Sequence, residues 1–164
     1  HGVDPSNTTV ALLGNGGAAK AIAYTLVEQH NKLTIVCRSR EKGEALANGL
    51  GEGVQVVTFS EFADVSANNK IIINATSVGM SPNDNESPLP AECLHSDQVV
   101  CDIVYTPPRT KLLQMAEAKG CKVVTGEGML VHQGLESFKK WFPAETANQT
   151  TSFLVNIMRK GLQD

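Results

Sequence analysis

Six consecutive residues, Gly14-Asn15-Gly16-Gly17-Ala18-Ala19, fit the pattern G-x-G-x-x-G/A, with Ala19 in the last place. They follow a short apolar run and open a stretch of helical spacing. In that context the pattern reads as a loop for the pyrophosphate of a dinucleotide. Gly14 permits a tight turn, Gly16 lets the pyrophosphate approach the backbone, and Ala19 keeps the helix close to the sheet. The helix start adds free N–H groups and a positive dipole end. The same residues also suit a close-packed strand–helix turn that holds no ligand.

A second cluster, Cys37-Arg38-Ser39-Arg40-Glu41-Lys42, stands about 20 residues further on, where an NAD site places an acid for the ribose hydroxyls. Here no acid appears before Glu41. Arg38, with Ser39 and either Lys42 or Arg40, suits the 2′-phosphate of NADP instead. A solvated charge cluster is the plainer reading. Basic residues at a helix start oppose its dipole, so a phosphate partner explains them better. The expected cofactor is NADP.

Two further stretches carry polar groups at apolar run ends. Asn74-Ala75-Thr76-Ser77-Val78-Gly79-Met80 has small and hydroxyl residues suited to a ribose. Asp102-Ile103-Val104-Tyr105 and Gly126-Glu127-Gly128-Met129-Leu130-Val131-His132-Gln133 end on polar tips, Tyr105 and Gln133. Tyr105 also reads as a surface-edge aromatic, and Gln133 as a solvent-facing helix residue.

These segments must be positioned by strands and helices, and the hydrophobic pattern supplies both. Apolar runs predict strands over Thr9–Leu13, Leu33–Cys37, Val54–Thr58, Lys70–Ala75, Gln98–Val104 and Cys121–Thr125. Helical spacing predicts helices over Gly16–Gln29, Glu41–Leu50, Thr110–Lys119, Met129–Phe142 and about Thr151–Gly161. Ser39 and Thr110 are the expected N-caps, Gly120 a stop, and Ser60 the opening of a short helix. A face of Val131, Leu135, Phe138 and Phe142 is expected to be buried, with Pro143 closing that helix. A loop runs from Thr76 to about Pro90. The alternation predicts an α/β fold: a doubly wound, six-stranded parallel Rossmann-type sheet, helices on both faces, strand order 3-2-1-4-5-6. Its ligand crevice lies at the carboxyl ends of strands one and four, where the unusual segments fall.

Composition bounds the alternatives. The 164 residues are 41% hydrophobic and 19% charged, which suits a globular domain rather than a disordered chain. A net charge of −3 without a basic stripe argues against nucleic acid. No apolar run suits a membrane span and no leader pattern opens the chain, so no membrane association and a cytoplasmic location are expected. Cys37, Cys93, Cys101 and Cys121 are scattered, and no Cys/His spacing suits a metal. Cys37, Cys101 and Cys121 read as buried reduced thiols.

The ordered set of motifs resembles the C-terminal, NADP-binding domain of the shikimate dehydrogenase family. It comprises Gly14-Asn15-Gly16-Gly17-Ala18, Arg38-Ser39, Asn74-Ala75-Thr76-Ser77-x-Gly79-Met80, Pro88-Leu89-Pro90, Asp102-x-x-Tyr105-x-Pro107 and Gly126-x-Gly128-Met129-Leu130-x-x-Gln133. The family's usual Asn-Arg-Thr is Cys37-Arg38-Ser39 here, which keeps the arginine and a hydroxyl and loses the leading amide. The resemblance implies NADPH-linked reduction of 3-dehydroshikimate to shikimate, in aromatic amino-acid biosynthesis. It implies that Gly14, Asn15, Gly16, Gly17 and Ala18 hold the pyrophosphate, and Arg38, Ser39 and Lys42 the 2′-phosphate. Asn74, Thr76 and Ser77 would line the adenosine and ribose side. Ile103, Gly126 and Met129 would flank the nicotinamide, and Tyr105 and Gln133 would reach the substrate.

In the family a catalytic lysine–aspartate pair and most carboxylate-binding residues belong to an N-terminal domain. The resemblance therefore implies no catalytic residue in this chain, and Lys20 is not a substitute. The organisation expected is a linker over 1–8, an NADP-binding domain over 9–143 and a C-terminal helix within 144–164. The chain is expected to be a fragment, nearly inactive alone, that partners the missing domain. Phe153, Leu154, Ile157 and Met158 make an apolar face that invites self-association. Quinate/shikimate dehydrogenase and a stand-alone nucleotide-binding module are the alternatives.

Overall fold

The computed structural model describes residues 4–146 and 149–161. The first three residues of the expected linker, and 147–148 and 162–164 of the expected C-terminal segment, lie outside them. Backbone contacts divide the chain into two units, residues 1–125 and 126–164.

The first unit is a six-stranded, all-parallel sheet. Its strands are β1 (Thr9–Leu13), β2 (Lys32–Cys37), β3 (Gln55–Thr58), β4 (Ile71–Asn74), β5 (Val99–Asp102) and β6 (Lys122–Val124). Their order is β3-β2-β1-β4-β5-β6, as the alternation predicts. Between them run α1 (Gly17–Glu28), α2 (Arg40–Asn48), α3 (Phe62–Val65) and α4 (Lys111–Ala118).

The strand side chains alternate between two cores. Ala11, Leu13, Val36, Ile72 and Val100 pack with Phe62 of α3 and with Leu112, Leu113 and Ala116 of α4. Val10, Leu12, Leu33, Ile35 and Ile71 pack with Ala19, Ala23 and Leu26 of α1 and with Leu46 and Ala47 of α2. Burial on both faces explains why these strands read as continuous apolar runs.

Register brings the strand ends into one row. Leu13 pairs with Val36 and Asn74, and Asn74 with Asp102. The ladder extends one step further: Gly14 N–H donates to the Val36 carbonyl, Ala75 N–H to Leu13, and Ile103 N–H to Asn74, at 2.7, 2.9 and 3.1 Å. The motif segments of β1, β4 and β5 therefore leave the sheet side by side.

Local signals held at most helix ends. Ser39 caps α2 by accepting from Lys42 N–H, and Thr110 caps α4 by accepting from Leu113 N–H. Gly120 takes φ +82° just after α4. The short helix differs: α3 is preceded by Glu61, and the Ser60 hydroxyl turns back to Thr58, 2.9 Å away. The four cysteines are free. Burial raises their thiol pKa values, that of Cys101 to about 11.

The second unit contains α5 (Glu127–Trp141), α6 (Pro143–Thr146) and α7 (Thr151–Lys160). Val131 and Leu135 of α5 pack on Val155, with Leu154 and Met158 alongside. The expected buried face stops there. Phe138 and Phe142 are 38% and 44% exposed and contact each other, ring centroids 4.9 Å apart. Pro143 ends α5 but opens α6, because its fixed φ suits a first helical turn. Among the described residues no helix is long and apolar enough to cross a membrane.

Candidate functional site

The glycine loop owes its shape to crowding at one residue and openness at the next. Gly14 takes φ +107°, which side chains rarely adopt. A Cβ there would stand 3.1 Å from both the Ala75 carbonyl oxygen and Thr76 Cγ2, so β4 comes close only because Gly14 has none. A Cβ on Gly16 or Gly17 would meet nothing within 4 Å. The backbone is open there. Gly16 is the N-cap of α1, without a side-chain cap bond, and the first turn contains no acid. The helix thus offers bare N–H groups to an anion.

A cleft of about 740 Å³ runs from this loop across the ends of β2 and β4. Of the candidate cofactor residues, Gly14, Asn15, Gly16, Arg38, Ser39, Lys42, Thr76 and Ser77 line it, together with Cys37, Phe59, Ala75 and Val78. Arg38 and Lys42 are exposed, and neither side chain has a partner among the described residues. Two cations without counter-ions beside an open glycine loop suit a phosphate. Gly43 sets how closely α2 approaches the sheet beneath them. A Cβ there would lie 2.6 Å from Cys37 Sγ and 2.7 Å from Val56 Cγ1.

A second cleft of about 540 Å³ shares Gly16, Thr76 and Ser77 and continues to the segment that follows β5. Gly17, Ala18, Ile103 and Tyr105 line it, together with Met80, Ser81, Val104 and Thr106. Ser81 N–H donates to the Thr106 carbonyl at 3.1 Å and joins its two walls. Tyr105 is 50% exposed.

Asn74 corrects the sequence reading. Expected to line the adenosine and ribose side, it is 0% exposed and offers a ligand no surface. Its amide donates to Asp102 Oδ1 at 3.0 Å and to the Val78 carbonyl at 3.3 Å. Its carbonyl accepts from the Thr76 N–H and hydroxyl, at 3.0 and 2.7 Å. Asn74 holds the loop in place, and Thr76 and Ser77 face the cleft.

Asp102 was legible only as a motif letter. Its Oδ1 also accepts from Val104 N–H at 2.9 Å, and its Oδ2 from the buried Thr110 hydroxyl at 2.7 Å. Burial raises its pKa, against the lowering by those hydrogen bonds. One side chain thus fixes the β4 loop, the β5 exit and the start of α4.

Arg40 is a second correction. It was a possible partner for the 2′-phosphate, but Nη2 lies 2.6 Å from both carboxylate oxygens of Glu61. Gly126, Met129 and Gln133 belong to the second unit: Gly126 precedes α5, and Met129 and Gln133 are exposed on it.

Comparison with known proteins gives this geometry a family. The model of the family "Shikimate / quinate 5-dehydrogenase" matches residues 3–105, more than half of the chain. A shikimate dehydrogenase (NADP(+)) of Thermococcus kodakarensis is 46% identical over 134 residues, covering 80% of this chain and 47% of that protein. The structure resembles a Thermus thermophilus shikimate 5-dehydrogenase in complex with NADP(H) and shikimate. That pair has a TM-score of 0.78 and 31% identity, covering 97% of this chain and 57% of the other. It also resembles a quinate dehydrogenase from Corynebacterium glutamicum in complex with NAD, with a TM-score of 0.83 and 30% identity, covering 96% and 55%. The chain spans about half the length of the relatives it matches. With its glycine loop, basic turn and β4 and β5 exits all inside the matched residues, the chain belongs to the shikimate/quinate 5-dehydrogenase family.

Proposed function

We propose that this chain is the NADP-binding part of a dehydrogenase that reduces 3-dehydroshikimate to shikimate. The observation that carries the reading is the cleft where the open Gly16 backbone at the bare start of α1 and the unpartnered Arg38 and Lys42 meet. The relatives' names and bound ligands supply the substrate class.

NADPH, when bound, carries the hydride that such a reduction needs. The work of this chain is binding and orientation. Gly14 shapes the turn, while Asn15, Gly16, Gly17 and Ala18 present the pyrophosphate site. Arg38 and Lys42 hold the 2′-phosphate, and Ser39 contributes through its place at the start of α2. Thr76 and Ser77 face the ribose, and Ile103 borders the nicotinamide. Tyr105 meets the substrate. Gly126 and Met129 beside the nicotinamide, and Gln133 at the substrate, rest on the family motif alone. Reduction of a ketone also needs a proton for the oxygen and a substrate held near attack geometry. On this reading both come from the lysine–aspartate domain, and the chain alone turns over substrate hardly at all.

The test is a calorimetric titration of the chain with NADP⁺ and NAD⁺ in one buffer. Binding that favours NADP⁺ supports the reading. A preference for NAD⁺ contradicts the NADP part of the reading and leaves the choice between shikimate and quinate open, since relatives of both names are in complex with NAD. Phe153 and Ile157, 51% and 53% exposed on α7, support self-association. A strictly monomeric sedimentation profile at high concentration contradicts that part.

A further inference from the structure

Arg40 bridges two turns that line one cleft. Its Nη1 donates to the Val56 carbonyl of β3 at 3.0 Å, while Nη2 engages both oxygens of Glu61. Glu61 Oε2 in turn accepts from the Thr58 N–H and hydroxyl, each at 2.7 Å. Arg40 follows Arg38 and Ser39 at the β2–α2 turn. Glu61 follows Phe59 at the β3–α3 turn. Arg38, Ser39 and Phe59 all line the cleft, and Phe59 also packs on the core beneath.

We infer that Arg40 and Glu61 are positioning residues for the dinucleotide: their ion pair fixes the spacing of the two turns that flank the adenosine end. The inference rests on the dinucleotide reading above. Arg40 turns its bonded nitrogens toward Val56 and Glu61 and is not among the residues that line the cleft, so it acts on the phosphate through the turn it holds. One nitrogen on both oxygens of Glu61 and the other on the Val56 carbonyl restrict this arginine more than the single contact of most exposed ion pairs does. Lysine has no fork to reach Val56 and Glu61 together.

The two roles for Arg40 separate cleanly. The chain and its Arg40→Met, Arg40→Lys and Glu61→Gln variants are each titrated with NADP⁺ and with NAD⁺. Circular dichroism establishes that each is folded at the assay temperature. The positioning role predicts that all three variants bind both dinucleotides about 3- to 10-fold more weakly, with the NADP⁺/NAD⁺ ratio preserved. A direct phosphate ligand predicts otherwise: Arg40→Met loses NADP⁺ alone, Arg40→Lys keeps it, and Glu61→Gln tightens it. That pattern, or unchanged affinities, overturns the inference. Binding of neither dinucleotide by the unaltered chain overturns the dinucleotide reading, and the inference with it. Sound binding with unmoved variants overturns the inference alone.

Discussion

Asn74 donates to Asp102 across the β4–β5 pair at 3.0 Å, and both side chains are sealed from solvent, at 0% and 2% exposure. The two sit opposite each other in register, at the last position of each strand. Each then controls the chain that follows it: Asn74 holds Thr76, and Asp102 holds Val104. Both clefts border on Thr76, so this hidden contact sets the geometry of exposed residues.

Replacing Asn74 by Ala leaves the Thr76 hydroxyl without its acceptor and Asp102 without one donor. A buried polar group stripped of its partner costs about 1–3 kcal/mol. Urea unfolding should show a loss of that size, and NADP⁺ affinity should fall as the Thr76 loop loosens. Unchanged stability and binding would contradict the bracket.

Asp102 should leave a pH signature. Burial raises its folded pKa above the ordinary 3.8. A raised pKa means that its contribution is fully present below 3.8 and is lost as pH rises through the folded value. Asp102→Asn cannot ionise, so its stability relative to the parent should improve as pH rises from the ordinary value of 3.8 through the raised folded value. Parallel stability curves for the two proteins would contradict this. Glu61 has the opposite sign. The Thr58 N–H foremost, and Arg40 after it, lower its pKa, so its contribution is present above the ordinary 4.5 and lost as pH falls through the folded value.

Two glycines of one loop should behave differently. Gly14→Ala meets an unfavourable φ and the Ala75 carbonyl, and should destabilise by about 1–3 kcal/mol. Gly16→Ala adds a methyl to open space and should change stability by under about 1 kcal/mol, while weakening NADP⁺. Thermal unfolding with and without NADP⁺ separates the two effects. Equal behaviour would mean that Gly16 faces no ligand.

Gly43→Ala tests the seat of α2. Its methyl would fall inside contact with Cys37 Sγ and Val56 Cγ1, so overpacking should cost about 1–3 kcal/mol. Since α2 carries Lys42 and follows Arg38, NADP⁺ affinity should fall too. A neutral outcome in both would show that α2 can shift freely.

The parts legible in the sequence were those fixed by local rules. The apolar run Thr9–Leu13 followed by glycines gave β1 and the loop, and hydroxyls at Ser39 and Thr110 gave two caps. Alternating strands and helices then left few topologies open. The hidden parts depend on contacts between distant segments. Arg40 and Glu61 are 21 residues apart, and only the adjacency of β2 and β3 joins them. Asn74 sits among small, polar loop residues that do face the cleft, and strand register alone reveals that it points inward. In α5 the helical period marks Phe138 and Phe142 as one stripe with Val131 and Leu135, but a period does not say where the covering surface ends.

The central claim is that the cleft beside Arg38 takes a 2′-phosphate. Arg38→Ala, titrated with NADP⁺ and NAD⁺ beside the unaltered chain, tests it most directly. Loss of a charge-assisted bond should weaken NADP⁺ about 10- to 100-fold and barely move NAD⁺. Equal weakening of both, or no change in NADP⁺, would contradict the assignment.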